Sequence, residues 1–99
     1  MNLRQRAAVF KALGHPARLA VVDRLARGEC CVCELFQMAE TPKLSGPTVS
    51  QHLLVLKNAG VIADEKRGKK VFYRLRMPCV AEISLCVRDH ENFKIEASL

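Results

Sequence analysis

Apolar residues in the first third of the chain recur at helical spacing. Val9, Ala12 and Leu13 fall together in the stretch from Leu3 to Leu13, which predicts a helix that Gly14 ends. His15-Pro16 opens a second helix, since proline is tolerated in a first turn. Its stripe is Leu19, Val22 and Leu25, widened by Val21 and Ala26, and Gly28 closes it. A third, short helix is expected from about 31 to 39, burying Val32, Leu35 and either Met38 or Ala39. Thr41-Pro42-Lys43 reads as a turn, and Ser45 as the N-cap of a fourth helix with Pro47 in its first turn. Val49, Leu53 and Leu56 form that helix's apolar stripe, and Asn58-Ala59-Gly60 stops it. The period then changes: residues 61–66 and 71–76 read as strands joined through Arg67-Gly68-Lys69-Lys70, a β-hairpin. Pro78 begins a last helix directed towards Phe93 or beyond. The expected fold is mainly α with one β-hairpin, a single domain over residues 1–99.

Ninety-nine residues, 49% hydrophobic and 26% charged, suit one globular domain with a modest core, and a dimer would enlarge that core. A net charge of +6 points to an anionic partner. The longest uncharged run, residues 44–56, is too short to span a bilayer and contains Ser, Gly, Pro, Gln and His. Lys11, Arg18 and Asp23 interrupt any signal-peptide apolar region, so a cytoplasmic location with no membrane partner is expected. Five cysteines, an odd number with three at Cys30, Cys31 and Cys33, do not form a secreted disulfide framework.

A helix-turn-helix needs two helices joined by a turn, the second polar on its outer face. Outward positions of the fourth helix hold Thr48, Ser50, Gln51, His52 and Lys57, side chains able to reach base edges and phosphates. Leu54 falls off the apolar stripe and should face partly outward, against a thymine methyl or beneath the hairpin. The hairpin adds Lys66, Arg67, Lys69, Lys70, Arg74 and Arg76 with no acid among them, and Tyr73 beside them. Such a ribbon suits a wing on a DNA backbone. A polar helix face is often merely solvated, and a basic hairpin can protect a sheet edge. Their succession in one small basic domain favours double-stranded DNA.

Phe10-Lys11-Ala12-Leu13-Gly14-His15-Pro16-Ala17-Arg18-Leu19, Glu29-Cys30-Cys31-Val32-Cys33-Glu34-Leu35, Pro47-Thr48-Val49-Ser50-Gln51-His52-Leu53 and the stretch 68–75 occur in that order. Together they resemble the ArsR/SmtB family of repressors, over residues 5–76, and its arsenic-sensing branch in particular. The resemblance implies a winged helix-turn-helix homodimer built on the first and last helices. It also implies an inverted-repeat operator, bound without any cofactor and released by an inducer. The turn at Thr41-Pro42-Lys43 is about three residues longer than is usual there, an insertion a loop tolerates.

Cys31-Val32-Cys33 falls where arsenic-sensing members carry a Cys-x-Cys pair; Phe36 stands where they have another cysteine, and Cys30 precedes the pair instead. Three soft thiolates suit As(III), Sb(III) or a soft metal ion such as Cu(I), Cd or Zn. In a helix, at ~100° per residue, Cys30 and Cys33 share a face while Cys31 and Cys33 diverge. One ion on all three sulfurs would therefore unwind the start of the third helix. Alternatively the cysteines simply pack. Cys79, Cys86 and His90 share a stripe with Ile83 on the last helix, read as dimer core rather than a second site. His15 and His52 need no metal. The alternatives within this fold are a repressor sensing oxidants or reactive sulfur, and one answering a small metabolite. The C-x-x-C spacing lacks the βαβ context of a thiol–disulfide enzyme, and no second close cysteine pair completes a structural zinc module, so catalysis is not expected.

Overall fold

The computed structural model describes residues 1–37 and 46–90, with backbone alone at 46 and 47. Helices α1 (Leu3–Leu13) and α2 (Pro16–Leu25) lead into a short strand β1 (Cys30–Cys31) and a short helix α3 (Val32–Phe36). Helix α4 (Gly46–Asn58), strands β2 (Ile62–Arg67) and β3 (Lys70–Leu75), and helix α5 (Cys79–Arg88) follow. The sheet order is β1-β3-β2, antiparallel throughout.

The helix ends follow local chemistry. Asn2 and Gln5 form a reciprocal capping box at the head of α1. His15 caps α2, its Nδ1 accepting from the Ala17 N–H at 3.1 Å, with Pro16 in the first turn. At the far end of α4 the Gly60 N–H donates to the Lys57 carbonyl and the Val61 N–H to the Leu56 carbonyl. Gly60 sits at φ 83°, so this is a Schellman closure that needs a residue free of a Cβ. The anticipated N-cap Ser45, the turn at Thr41-Pro42-Lys43, and Met38 and Ala39 lie outside the described residues.

The core is one cluster in which Val9, Ala12 and Leu13 of α1 meet Val21, Val22 and Leu25 of α2 and Val49, Leu53 and Leu56 of α4. Cys30, Leu35, Val61, Ile62 and Val80 complete it. Leu19 and Val32 are half-buried at its edge and Ala26 is exposed, so the expected stripes are slightly too wide.

Three elements differ from their sequence expectation. Cys30 and Cys31 are not helical; they form β1, opposite Tyr73 and Phe72 of β3, and α3 starts only at Val32. The hairpin strands are displaced by one residue because Val61 is drawn fully into the core and ends the α4 closure. Arg67 then pairs with Lys70 across a two-residue turn, Gly68 taking φ 63° and Lys69 an ordinary negative φ, the type II′ pattern. Helix α5 ends at Arg88, where the Asp89 and His90 amides close the last turn onto the Leu85 and Val87 carbonyls.

Candidate DNA-binding face and cysteine pair

Helix α4 buries Val49, Leu53 and Leu56 and thereby turns Ser50 and Gln51 outward, with Leu54 beside them at 56% exposure. Thr48 is half-buried near the start of the helix. His52 is not on the outer face. It is half-buried in the seam between α2 and α4, accepting from Arg18 Nε at 3.3 Å, with its ring 4.4 Å from that of His15. Arg18 also donates to the Ala12 carbonyl, so this group ties α4 to α1 and α2.

Withdrawal from water holds the His52 imidazole below its ordinary value of 6.5, and the nearby His15 and Arg18 add to this. The unfolded chain therefore binds the proton more readily, and stability falls as pH drops below the ordinary histidine value. Thermal melts are expected to show a lower midpoint at about pH 5.5 than at about pH 7.5, and His52→Gln should flatten that difference.

The wing carries two kinds of cation. Arg67 is held by Glu29 at 2.5 and 2.9 Å and by Glu65 at 2.8 Å, and lies 4.7 Å from the Phe72 ring centroid. Its fork is thus saturated by carboxylates, and the Arg67 guanidinium in turn holds the Glu29 carboxyl below its ordinary range. Lys57 likewise bonds Asp64 at 3.1 Å. Lys66, Lys69, Lys70, Arg74 and Arg76 are exposed and make no ion pair with a described residue. Tyr73 is half-buried and packs on the core side of the sheet, where burial raises its phenol. Arg67, Lys57, His52 and Tyr73 are therefore engaged inside the protomer, whereas Ser50, Gln51, Lys69, Lys70 and Arg74 face solvent. Of the two clamping acids, Glu65 lies just outside the basic window of the sequence and Glu29 far from it. Glu65 could have been noticed, because residues two apart on a strand share a face; Glu29 gives no local signal.

The cysteines divide between the two sides of the sheet. Successive strand residues point to opposite faces, and residues opposite each other on an antiparallel pair share a face. Cys30, opposite Tyr73, enters the core cluster at 1% exposure. Its Sγ donates towards Glu34 Oε2 at 3.7 Å, and burial pushes the thiol up. Cys31, opposite Phe72, takes the other face, where its Sγ lies 2.7 Å from Cys33 Sγ on the first turn of α3. The bond from the Cys33 thiol pulls the Cys31 thiol below its ordinary range, helped by the Cys33 and Glu34 amides and by Lys70; Cys33 is raised correspondingly. Cys31 is thus the more acidic thiol of the pair. No unwinding is needed to bring these two sulfurs together, because Cys31 is extended at ψ 146° and α3 begins after it. Among the described residues no three His, Cys, Asp or Glu side chains converge as a metal site. Cys79, Cys86 and His90 are exposed on or just beyond α5, near the exposed apolar Ile83, Leu85 and Val87.

A helix with a polar outer face, a basic two-stranded hairpin and a cysteine pair thus lie together in one small fold. The sequence model described as bacterial regulatory protein, arsR family, matches residues 15–64. The chain belongs to the ArsR family. It is 42% identical over 77 residues to the HTH-type transcriptional repressor SmtB of Mycobacterium tuberculosis, covering 78% of this chain and 55% of that protein. It is 41% identical over 68 residues to the arsenical resistance operon repressor of Escherichia coli, covering 68% and 56%. The chain thus spans a little over half the length of these relatives. The homodimeric winged helix-turn-helix DNA-binding domain of Mb0332 from Mycobacterium bovis superposes with a TM-score of 0.75 at 30% identity, covering 96% of this chain and 85% of that one. This ArsR-family chain folds as a winged helix-turn-helix.

Proposed function

We propose that this ArsR-family chain is a homodimeric repressor that holds operator DNA when reduced and releases it when Cys31 and Cys33 capture a thiophilic inducer. The observation that carries the reading is the position of the sulfur pair. Cys31 lies on the strand paired with wing strand β3, and Cys33 lies on α3, which packs against α4. Drawing these two side chains into a new geometry strains the junction between wing and recognition helix. The pair fits As(III), Sb(III) or a soft metal ion, which would supply strong bonds to sulfur. The arsenical resistance repressor among the relatives supports that class of inducer.

Dimerisation through α1 and α5 is supported by exposed Phe10, Ile83 and Val87, which with Leu13 and Leu19 line an apolar groove of about 330 Å³. Cys79 and Cys86 then belong to the rim of that interface. No described helix is long and apolar enough to cross a membrane, and a cytoplasmic regulator is proposed.

Ser50 and Gln51 read bases in this scheme, while Lys69, Lys70 and Arg74 hold phosphates. Gln51→Ala should cost about 1–3 kcal/mol at one base-pair position and relax preference there. Lys69→Ala should weaken all duplexes alike and reduce the salt slope by about one. Binding titrations at several salt concentrations distinguish the two; equal, sequence-blind losses would count against α4 as the reading helix.

The inducer class is tested by titrating the protein–DNA complex with arsenite or Cd under full reduction. Release under those conditions is expected. Release by an oxidant alone would reassign the closely spaced pair to redox sensing, and release by neither would remove the cysteines from regulation.

A further inference from the structure

We infer that Leu54 is a specificity-determining residue of the DNA-binding face, making apolar contact with the C5 methyl of one thymine in each operator half-site. This rests on the reading of α4 as the helix that enters the groove, and adds the one base group that its polar side chains do not recognise.

The phase of α4 places the side chain. Val49, Leu53 and Leu56 are buried, which fixes the inner side of the helix. Leu54 lies on the outer side, three residues beyond Gln51 and four beyond Ser50, and is therefore a neighbour of both. The flanks of this strip are taken. Val55 turns towards α1 and lines a groove with Ala8, Lys11 and Arg18, while Lys57 leans the other way onto Asp64 of β2. The hairpin seats itself through Val61 and Ile62 in the core cluster and leaves Leu54 56% exposed, so Leu54 does not pack beneath it. Phe10, Ile83 and Val87 are also exposed, but they line the groove assigned above to the dimer, and Leu54 does not.

Charge indicates what covers this leucine. No acidic residue occurs from residue 41 to residue 63, and Lys69, Lys70 and Arg74 are exposed on the wing. Such a surface draws a polyanion. In the major groove of a duplex the thymine methyl is the apolar group on the base edges, and only an apolar side chain gains by touching it. Ser50 and Gln51 offer hydrogen bonds; Leu54 offers two methyls. It lies about 4.5 Å along the helix axis from Gln51, on the order of one base-pair step, so the thymine is expected next to the base pair that Gln51 contacts.

The test removes the methyl from the DNA. Thymines of a duplex selected from a random pool by the reduced, full chain are replaced one at a time by deoxyuridine, which keeps the pairing and hydrogen-bonding edges. Wild type is expected to lose about fourfold in affinity at one thymine per half-site, the worth of one buried methyl, and about sixteenfold when both half-sites are changed. Leu54→Ala should bind the thymine duplex correspondingly less well and be indifferent to deoxyuridine at that position, with an unaltered melting midpoint. Leu54→Met, still apolar and long, should keep most of the discrimination. A selected half-site in which no thymine substitution matters would overturn the proposal. So would a Leu54→Ala variant that keeps the full deoxyuridine penalty, since another group then touches the methyl. In both cases a base preference relaxed by Gln51→Ala would leave α4 as the reading helix; a sequence-blind loss from Gln51→Ala as well would overturn that reading too.

Discussion

Serine at Cys31 should abolish release of DNA by arsenite while leaving the reduced protein's grip on its duplex nearly unchanged. Cys31 is the more acidic member of the pair, lowered by the Cys33 thiol first and then by the amides at the start of α3 and by Lys70. A hydroxyl in its place is a hard, protonated oxygen that soft arsenic or cadmium does not bind well. The change is nearly isosteric, and Cys31 lies outside the main core cluster, so β1 should persist. Anisotropy titrations of Cys31→Ser and wild type, with and without arsenite, check this. Retained release by the variant would move sensing elsewhere, with Cys79 and Cys86 the first places to look.

Leu56→Ala should lower stability by about 3 kcal/mol, within the range of roughly 2–5 for buried leucines. Leu56 is 0% exposed and sits where α4 meets the rest of the core; its carbonyl also accepts from the Val61 N–H in the closure that hands α4 over to the hairpin. A domain of this size holds on the order of 5–15 kcal/mol in total, so the loss is a large fraction. The melting midpoint should fall by about 15 °C, measured at one fixed protein concentration because a dimer's stability depends on it. Leu54→Ala, two residues earlier and exposed, should change the midpoint little. Equal effects from the two would mean that the phase of α4 is wrong.

The helices were legible because a buried face repeats every three to four residues, and Val9, Ala12, Leu13, Val49, Leu53 and Leu56 all lie where that period puts them. The winged helix-turn-helix was legible for the same reason, followed by a change of period at the hairpin. Strand β1 was not. Two residues carry no periodicity, and what makes them a strand is pairing with β3, about forty positions away in sequence. Extending α3 backwards over Cys30 and Cys31 therefore put the sulfurs on the wrong faces: the helix phase separated Cys31 from Cys33, which are the two that meet. The wing erred in the same way. A window rich in lysine and arginine shows net charge, but not that Glu29 reaches across the fold to occupy Arg67. Cations with acids nearby in space are structural first, and only Lys69, Lys70, Arg74 and their exposed neighbours are left to meet a phosphate backbone.

Selection of duplexes from a random pool by the reduced, inducer-free protein at moderate ionic strength bears most directly on the reading as a whole. Enrichment of an inverted repeat, retained until the sulfur pair is occupied, is the expected result. A pool recovered without sequence preference would contradict it, whatever the cysteines bind.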